Sequence, residues 1–290
     1  MKLRVGSRGS HLAVIQSELV MDALKRARPE VELELVTMKT TGDRILDRPL
    51  DQVGGKGLFV KELDAALREG RVDLTVHSCK DLPADLPEEL PIAAFLRRED
   101  PRDALVLPAG ERGIPADRPI GSASPRRQRL LRELFPGREV KSVRGNVLTR
   151  LRKLDEGEYG ALVRAAAGLK RLGLAHRISR YFAPEELLPA AGQGILAVQC
   201  RQETRELLSC LSDREAALCA QAERAFVGAL GGGCSSPTAA YAVIQGETLT
   251  LTGMYIDGVQ RMHRGSVSGS APEGISLAGA LAERLKEGGK

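Results

Sequence analysis

The chain has 290 residues, 42% hydrophobic and 28% charged, with a formal net charge of +5 at pH 7. This length allows two or three domains, and the composition is ordinary for a soluble globular protein. The N-terminal stretch MKLRVGSRGS lacks the apolar region of a signal peptide and no apolar run is long enough to span a membrane, so we expect a cytoplasmic protein.

The first third of the chain alternates strands and helices. Short strands are predicted at LRVGS, VELELVTM and VDLTVHS, and helices at SHLAVIQSELVMDALKRARP and LFVKELDAALREG. Ser10 has the residue type and position of the first helix's N-cap. The loop KTTGDRILDRPLDQVGGKG is longer than a connection requires, which is typical of a functional or disordered segment. The alternation predicts a parallel sheet covered by helices.

A second alternating unit follows the proline-rich break LPADLPEELP and the crossing segment RREDPRDALVLP. Its predicted elements are RPIGSAS, PRRQRLLRELF, REVKSV, NVLTRLRKLDEG and YGALVRA. Around LPAAGQGILAVQC a buried strand returns to the first unit, and from DREAALCAQAERAFVGAL onward a small α+β domain is predicted. We therefore expect an α/β fold with one lobe at 1–96 and 193–213, a second lobe at 97–192, and a C-terminal domain at 214–290.

The basic residues are concentrated in one part of the second unit. Of 43 basic residues, 32 are Arg and 11 are Lys, and the segment from Gly121 to Arg152 carries a net charge of +7. Within it, GSASPRRQR and SVRGNVLTR each place arginines on a strand-to-helix turn, where backbone N–H groups attract anions. The recurrence predicts a shared anion cleft formed by Arg126, Arg127, Arg144 and Arg150, although each arginine alone would fit a solvated helix face.

The five cysteines are an odd number and none forms a C-x-x-C pair, so we expect neither a disulfide framework nor a metal site. Free cysteines are usually small buried hydrophobic residues, and we expect this of Cys79, Cys200, Cys210 and Cys219. Cys234 differs because it follows three glycines in LGGGCSSP, where the backbone can approach a ligand. A nucleophilic or tethering thiol fits this position, but no histidine stands out as the partner that a cysteine protease needs.

VHSCKDLP places Lys80 and Asp81 at the end of a predicted strand. The pair could be a surface ion pair. Ligands of open α/β sheets collect at the carboxyl ends of strands, and there Asp81 could act as an acid or anchor a cationic nitrogen.

Taken together, these segments closely resemble the porphobilinogen deaminase family. The resemblance runs nearly from end to end and rests on long, specific motifs: SRGSHLAVIQ, TTGDRILD, VGGKGLFVKEL, VHSCKDLP, REDPRDAL, SPRRQRL, SVRGNVLTRL, AAAGLKRLG, AAGQGILAVQCR and ERAFVGALGGGC. It implies two lobes like those of periplasmic binding proteins, with doubly wound, mostly parallel sheets, and a third domain that holds the cysteine loop. It also implies a monomer.

The resemblance implies an enzyme that joins four porphobilinogen molecules head to tail, releases ammonia at each step, and frees a linear tetrapyrrole by hydrolysis. It implies a dipyrromethane cofactor attached to Cys234 through a thioether, a bond for which a soft thiolate is suited. Each pyrrole carries an acetate and a propionate, and arginines are suited to bind those carboxylates.

By the same resemblance, Asp81 is the catalytic residue, set against pyrrole N–H groups to stabilise positive charge. The residues implied for the cofactor are Cys234, Lys80, Asp81, Ser78, Ser122, Ser124, Arg126, Arg127 and Arg144. Those implied for the substrate are Arg8, Ser10, Arg144, Arg150, Arg171 and Gln193. Asp43 and Lys56 would belong to a mobile lid. The chain departs from the family pattern at Gln52, Ala123, Gly231, Ser236 and Thr238.

Two alternatives remain at this stage. A non-enzymatic, two-lobed anion-binding or sensor protein would explain the sheets and the arginines but would leave Cys234 without a role. A nucleic-acid binder would explain the basic segment, but five Phe, four Tyr and no Trp offer few stacking platforms.

Overall fold

The computed structural model describes residues 1–44, 60–232 and 236–288, except for the side chains of residues 43 and 44. The strands in this part of the chain are β1 (Lys2–Arg8), β2 (Glu32–Met38), β3 (Leu74–Ser78), β4 (Ile92–Phe95), β5 (Asp103–Val106), β6 (Ile120–Gly121), β7 (Val140–Lys141), β8 (Ala161–Ala165), β9 (Arg180–Tyr181), β10 (Leu196–Cys200), β11 (Ala239–Gln245), β12 (Thr248–Ile256) and β13 (Met262–Ser270).

The α-helices in the same part of the chain are α1 (His11–Ala27), α2 (Thr41–Arg44), α3 (Lys61–Arg68), α4 (Pro125–Leu134), α5 (Val147–Asp155), α6 (Ala166–Arg171), α7 (Arg205–Leu208), α8 (Arg214–Ala229) and α9 (Gly274–Glu287). The caps follow from the sequence. Ser10 accepts a hydrogen bond from the Ala13 N–H at 3.3 Å, as predicted, and Ser124 and Asn146 cap α4 and α5 in the same way.

The first sheet has the order β2-β1-β3-β10-β4. β1 is parallel to β2 and β3, whereas β10 is antiparallel to both of its neighbours. Four strands therefore run one way and β10 runs the other. Helix α1 packs Val20 and Leu24 into the core of this sheet, and α3 contributes Ala66 and Leu67 to a separate cluster.

The second sheet repeats this plan with the order β7-β6-β8-β5-β9. β6 is parallel to β7 and β8, and β5 is antiparallel to β8 and β9. Helices α4 and α5 contribute to two different core clusters of this sheet, so it is covered on both faces. The chain passes from the first sheet to the second between β4 and β5, and returns between β9 and β10. In both cases the first strand after the passage is the one that runs antiparallel to its neighbours, so the two passages are structurally equivalent.

The C-terminal unit is an antiparallel sheet, β11-β12-β13, packed against α8 and α9. Phe226 of α8 is fully buried in this core. A β-carbon at Gly253 would overlap the Phe226 ring, so this position of β12 requires glycine.

Glu223 joins this unit to the rest of the chain. Its side chain is fully buried and accepts hydrogen bonds from Arg98 Nη2 at 2.7 Å, the Ala242 N–H at 2.7 Å and the Gly192 N–H at 2.6 Å. Burial raises the pKa of Glu223, while Arg98 and the two N–H groups oppose that shift. A single carboxyl group thus fixes α8 against both passages between the lobes.

The predicted α/β class is confirmed, with two doubly wound, mostly parallel sheets and a separate small α+β unit. Strands β4, β5 and β9 were not predicted: β4 lies between the segments interpreted as a break and a crossing, and β5 lies within the crossing. Cys79, Cys200 and Cys219 are buried as expected. The same expectation is wrong for Cys210, which is exposed in the middle of the short 3₁₀ turn Ser209–Leu211. The domain boundaries stay a prediction.

Within the described residues, no helix combines the length and the apolar character needed to cross a bilayer.

The burial of His77 in β3 predicts that the stability of the protein depends on pH. Its Nε2 lies 2.8 Å from Thr75 Oγ1, and burial lowers its pKa to about 4. The unfolded chain binds a proton near pH 6.5 but the folded chain does not, so stability should fall by roughly 3 kcal/mol as pH drops from 6.5 to 4. In urea unfolding across this range, His77→Gln should lose less stability than the wild type. The exposed His176→Gln serves as the control, and parallel curves for all three proteins would contradict the prediction.

Candidate functional site

A cavity of about 780 Å³ opens between the two large sheets and is bordered by α8 and the segment that follows it. Of the predicted site residues, those that line it are Arg8, Ser10, Ser78, Lys80, Asp81, Ser124, Arg126, Arg127, Arg144, Arg150, Arg171 and Gln193. The structure therefore brings together residues that lie far apart in the sequence.

Strand direction explains the convergence. Arg8 ends β1, and Ser78 ends β3 ahead of the 3₁₀ turn Cys79–Asp81. In the other lobe, β6 leads into the turn that carries Ser124, and β7 leads into the turn that carries Arg144. The carboxyl ends of parallel strands meet at one edge of each sheet, and here both edges face the same cavity.

Asp103, at the start of β5, holds two of the arginines from behind the cavity wall. Its carboxylate is fully buried and accepts from Arg126 Nη2 at 2.8 Å and from Arg127 Nη2 at 2.7 Å. Burial alone would raise the pKa of Asp103, but the two guanidiniums hold it well below its usual value. One carboxylate between two guanidiniums leaves the cluster with a net positive charge.

Gln193 links this cluster to the first lobe. Its Nε2 donates to Asp103 Oδ1 at 2.9 Å, and its Oε1 accepts from Arg127 Nη2 at 3.2 Å and from Lys80 Nζ at 3.4 Å. Burial, followed by the nearby Arg127, lowers the pKa of Lys80 to about 7. Asp81 and Asp103 oppose this shift without cancelling it, so the charged form of Lys80 would be stabilised by an anion that enters the cavity.

Two further guanidiniums that line the cavity, those of Arg150 and Arg171, donate to backbone carbonyls. Arg150 Nε donates to the Gly145 carbonyl at 2.7 Å, and Arg171 Nη2 donates to the Gly194 carbonyl at 2.7 Å. Burial lowers the pKa of both to about 10, and for Arg150 the neighbouring Arg127 and Arg144 add to the shift. Arg150 thus lies among closely placed like charges, whereas for Arg171 burial is the cause and Glu99 opposes it.

The predicted hydroxyl residues are largely engaged by the protein itself. Ser10 and Ser124 cap helices, and Ser78 is hydrogen-bonded to the Gln16 side chain at 3.1 Å. Ser122 is buried and does not line the cavity; its Oγ accepts from the Ser124 N–H at 3.4 Å, so it supports the turn rather than facing a ligand.

Some predicted positions lie outside the described residues. These are Cys234, Lys56 and the side chain of Asp43. Ser236 and Thr238, just after the cysteine in the sequence, line the same cavity as Asp81, and their hydroxyl oxygens are 2.9 Å apart.

Three residues of the site were missed from the sequence: Asp103, Arg164 and Arg224. Arg164, near the end of β8, and Arg224, on α8, line the cavity. Arg224 Nη2 donates to the carbonyls of Pro83 and Ala84 at 2.8 and 3.0 Å. Arg164 lies near the carboxyl end of the predicted strand YGALVRA, and that position was the available signal.

The charge of the wall is strongly one-sided. Among the described residues that line the cavity, ten are Arg or Lys and Asp81 is the one carboxylate. The same part of the chain contains no group of three or more His, Cys, Asp or Glu placed to hold a metal ion. The geometry suits a ligand with several carboxylates, one part of which lies against Asp81.

Comparison with known proteins gives a consistent result. Residues 3–209 match the family described as "Porphobilinogen deaminase, dipyromethane cofactor binding domain", and residues 217–287 match "Porphobilinogen deaminase, C-terminal domain". The chain is 53% identical over 289 residues to a porphobilinogen deaminase of Acetivibrio thermocellus, with 99% of each chain covered. It is 48% identical over 294 residues to one of Roseiflexus castenholzii, covering 99% of this chain and 96% of the relative.

Solved structures give only a weak likeness. The periplasmic VFT2 domain of Bordetella pertussis BvgS is 18% identical, with a TM-score of 0.41, covering 72% of this chain and 85% of that one. A likeness at this level carries no conclusion about function.

The buried cluster predicts a stability effect. Asp103→Asn removes the charge that Arg126 and Arg127 share, so it should lower the free energy of unfolding by about 3–5 kcal/mol. The matched control is Asp117→Asn, whose exposed carboxylate should change stability by less than about 0.5 kcal/mol. Denaturant unfolding of both variants measures this, and equal stability would show that Asp103 does not hold the cluster.

Proposed function

The chain belongs to the porphobilinogen deaminase family, and we propose that the arginine-lined cavity is where it performs the family's reaction. The protein is a transferase of tetrapyrrole biosynthesis, a hydroxymethylbilane synthase: it joins four porphobilinogen molecules head to tail with loss of ammonia, and hydrolysis then frees the linear product. The alternative of a non-enzymatic anion-binding protein is not favoured.

The observation that carries the site assignment is the charge of the cavity wall. Each porphobilinogen unit brings two carboxylates, so negative charge accumulates as the product grows. Ten basic residues with one carboxylate among the described lining residues match that chemistry. The proposed carboxylate-binding residues are Arg8, Arg144, Arg150 and Arg171, with help from Ser10 and Gln193.

The dipyrromethane cofactor of this family fits the same wall. Its ring carboxylates would be held by Lys80, Ser124, Arg127 and Arg144, with Ser78 close to Lys80. Arg126 acts mainly through Asp103, because its guanidinium is occupied by that carboxylate and by the Leu188 carbonyl. Ser122 contributes indirectly, because its hydroxyl accepts from the Ser124 N–H and so supports the turn that carries Ser124. When bound, the dipyrromethane supplies the pyrrole carbon from which the chain begins.

Asp81 has the catalytic role in this proposal. Loss of ammonia leaves positive charge on the porphobilinogen unit, delocalised onto the pyrrole nitrogen. A carboxylate beside the pyrrole N–H stabilises that charge and can pass on a proton. Asp81 is half-buried in the cavity wall, and its negative charge acts on the neighbouring Lys80 and Arg164.

Cys234 is the proposed attachment point for the cofactor, through a thioether. A thiolate is a good nucleophile toward the carbon that loses ammonia. Ser236 and Thr238 support the assignment because they line the cavity two and four residues further along the chain. Asp43 and Lys56 are proposed as parts of a lid, on the strength of the family resemblance.

We also infer from that resemblance that the chain works as a monomer in the cytoplasm.

The attachment predicts a mass difference. Wild-type protein from cells that make porphobilinogen should carry an added mass equal to two linked pyrrole units, and Cys234→Ser should lack it. Cys210→Ser, which changes an exposed cysteine elsewhere, should keep it. Intact-protein mass spectrometry decides the matter, and an unmodified wild-type chain would refute the attachment.

The role of Asp81 predicts a loss of turnover. Asp81→Asn should release ammonia from porphobilinogen at least a hundredfold more slowly than the wild type, because the amide cannot stabilise the cation or accept its proton. The measurement uses protein whose cofactor has been verified by mass. Asp85→Asn, an exposed neighbour outside the cavity lining, should keep near-normal rates. A rate for Asp81→Asn close to that of the wild type would eliminate this role.

A further inference from the structure

Arg164 lies near the carboxyl end of β8 and lines the cavity in a half-buried position. Its neighbour across the sheet is Ala104 of β5. Opposed residues of antiparallel strands project from the same face, and Ala104 belongs to the core cluster that contains α5. Arg164 therefore emerges on the α5 side of the sheet, where Arg150 is also located.

Arg164 differs from the other arginines of the cavity in its partners. Arg126 and Arg127 have Asp103, while Arg150, Arg171 and Arg224 donate to backbone carbonyls. The Arg164 guanidinium makes no hydrogen bond or ion pair with any residue in the described ranges. A charged group in a half-buried site normally finds such a partner, because losing water costs free energy.

The surrounding charges make this position less favourable still. Burial, and then the positive charges of Arg150 and Arg127, push the pKa of Arg164 well below its usual value. Asp81 and Asp103 oppose that shift. However, Asp103 is already hydrogen-bonded to two guanidiniums, and Asp81 forms no hydrogen bond with Arg164. The unfavourable interactions would be relieved by one additional anion between Arg164 and its cationic neighbours.

We propose that Arg164 is an additional carboxylate-binding residue of the cavity and that it holds a ring carboxylate of the growing chain next to Asp81. The proposal rests on the assignment of the cavity as the site of chain growth. A pyrrole whose N–H lies against Asp81 carries its acid side chains on the ring carbons away from that nitrogen. A guanidinium within electrostatic range of Asp81 is placed to receive one of them in a charge-assisted hydrogen bond.

A residue that only supports the fold would behave differently. Arg164 lies near Arg150 and Arg127 and has no hydrogen-bond or ion-pair partner among the described residues, so replacing it with an apolar side chain should stabilise the ligand-free protein. The same replacement should weaken substrate binding. Opposite effects on stability and on activity are the signature of a binding residue and not of a structural one.

The experiment compares Arg164→Leu and Arg164→Lys with Arg132→Leu. Arg132 is an exposed arginine of α4 in the same lobe and does not line the cavity, so its variant controls for the loss of one positive charge. Each change is made in the wild type for kinetics. Each is also made in Cys234→Ser for thermal unfolding without attached cofactor.

For Arg164→Leu we expect a KM for porphobilinogen at least about tenfold above the wild type, as the loss of one charge-assisted hydrogen bond implies. Enzyme-bound chains should stall at shorter lengths in intact-mass spectra. The melting temperature of the Cys234→Ser form should rise. Arg164→Lys should recover much of the KM because it restores the charge, and Arg132→Leu should match the wild type in every measurement.

Two results would overturn the proposal. One is an Arg164→Leu variant with the KM and the chain-length pattern of the wild type. The other is a variant with unchanged KM but lowered kcat, which would show that the charge acts on Asp81 and not on the substrate. A wild-type protein that releases no ammonia would instead refute the assignment of the cavity, so the two failures are distinguishable.

Discussion

Repulsion among the guanidinium groups around one cavity is the constraint on which the rest of the structure depends. Ten basic residues face this space with Asp81 as the one carboxylate among the described lining residues. Burial lowers the pKa values of Lys80, Arg150 and Arg171, and positive neighbours add to the shift for Lys80 and Arg150, so the cationic forms of these side chains are disfavoured in the ligand-free wall. When an oligocarboxylate ligand binds, its negative charges pair with these cations, and the relief of the unfavourable interactions adds to the binding free energy.

The fold tolerates this charge through a few buried contacts. Asp103 neutralises one charge of the Arg126 and Arg127 pair, and the Gly145 and Gly194 carbonyls each accept from a further arginine. Gln193 joins the two lobes by accepting from Lys80 and Arg127, and Glu223 fixes the C-terminal unit against both passages between the lobes. The hydrophobic cores of the two sheets provide the stability that these charges reduce.

Much of this could be predicted from the sequence, because the signals were local. A cap such as Ser10 and the arginines on strand-to-helix turns depend on neighbouring residues alone. Asp103 was missed because its partners, Arg126 and Arg127, lie on another element more than twenty positions along the chain. Arg164 was missed because its orientation depends on the pairing of β5 with β8, which places it opposite Ala104. Nothing in the local sequence distinguishes Asp103 from an ordinary carboxylate in a crossing segment. Cys210 was misjudged because cysteine composition indicates burial on average and not at a particular turn.

The most direct test of the charge argument uses two ligands of nearly the same shape. Isothermal titration calorimetry of the Cys234→Ser protein would compare free dipyrromethane bearing its acetate and propionate groups with the same compound as its methyl esters. If guanidinium–carboxylate pairing governs binding, the acid should bind at least a hundredfold more tightly than the ester, and added salt should weaken it. Equal affinity for the two compounds would contradict the account.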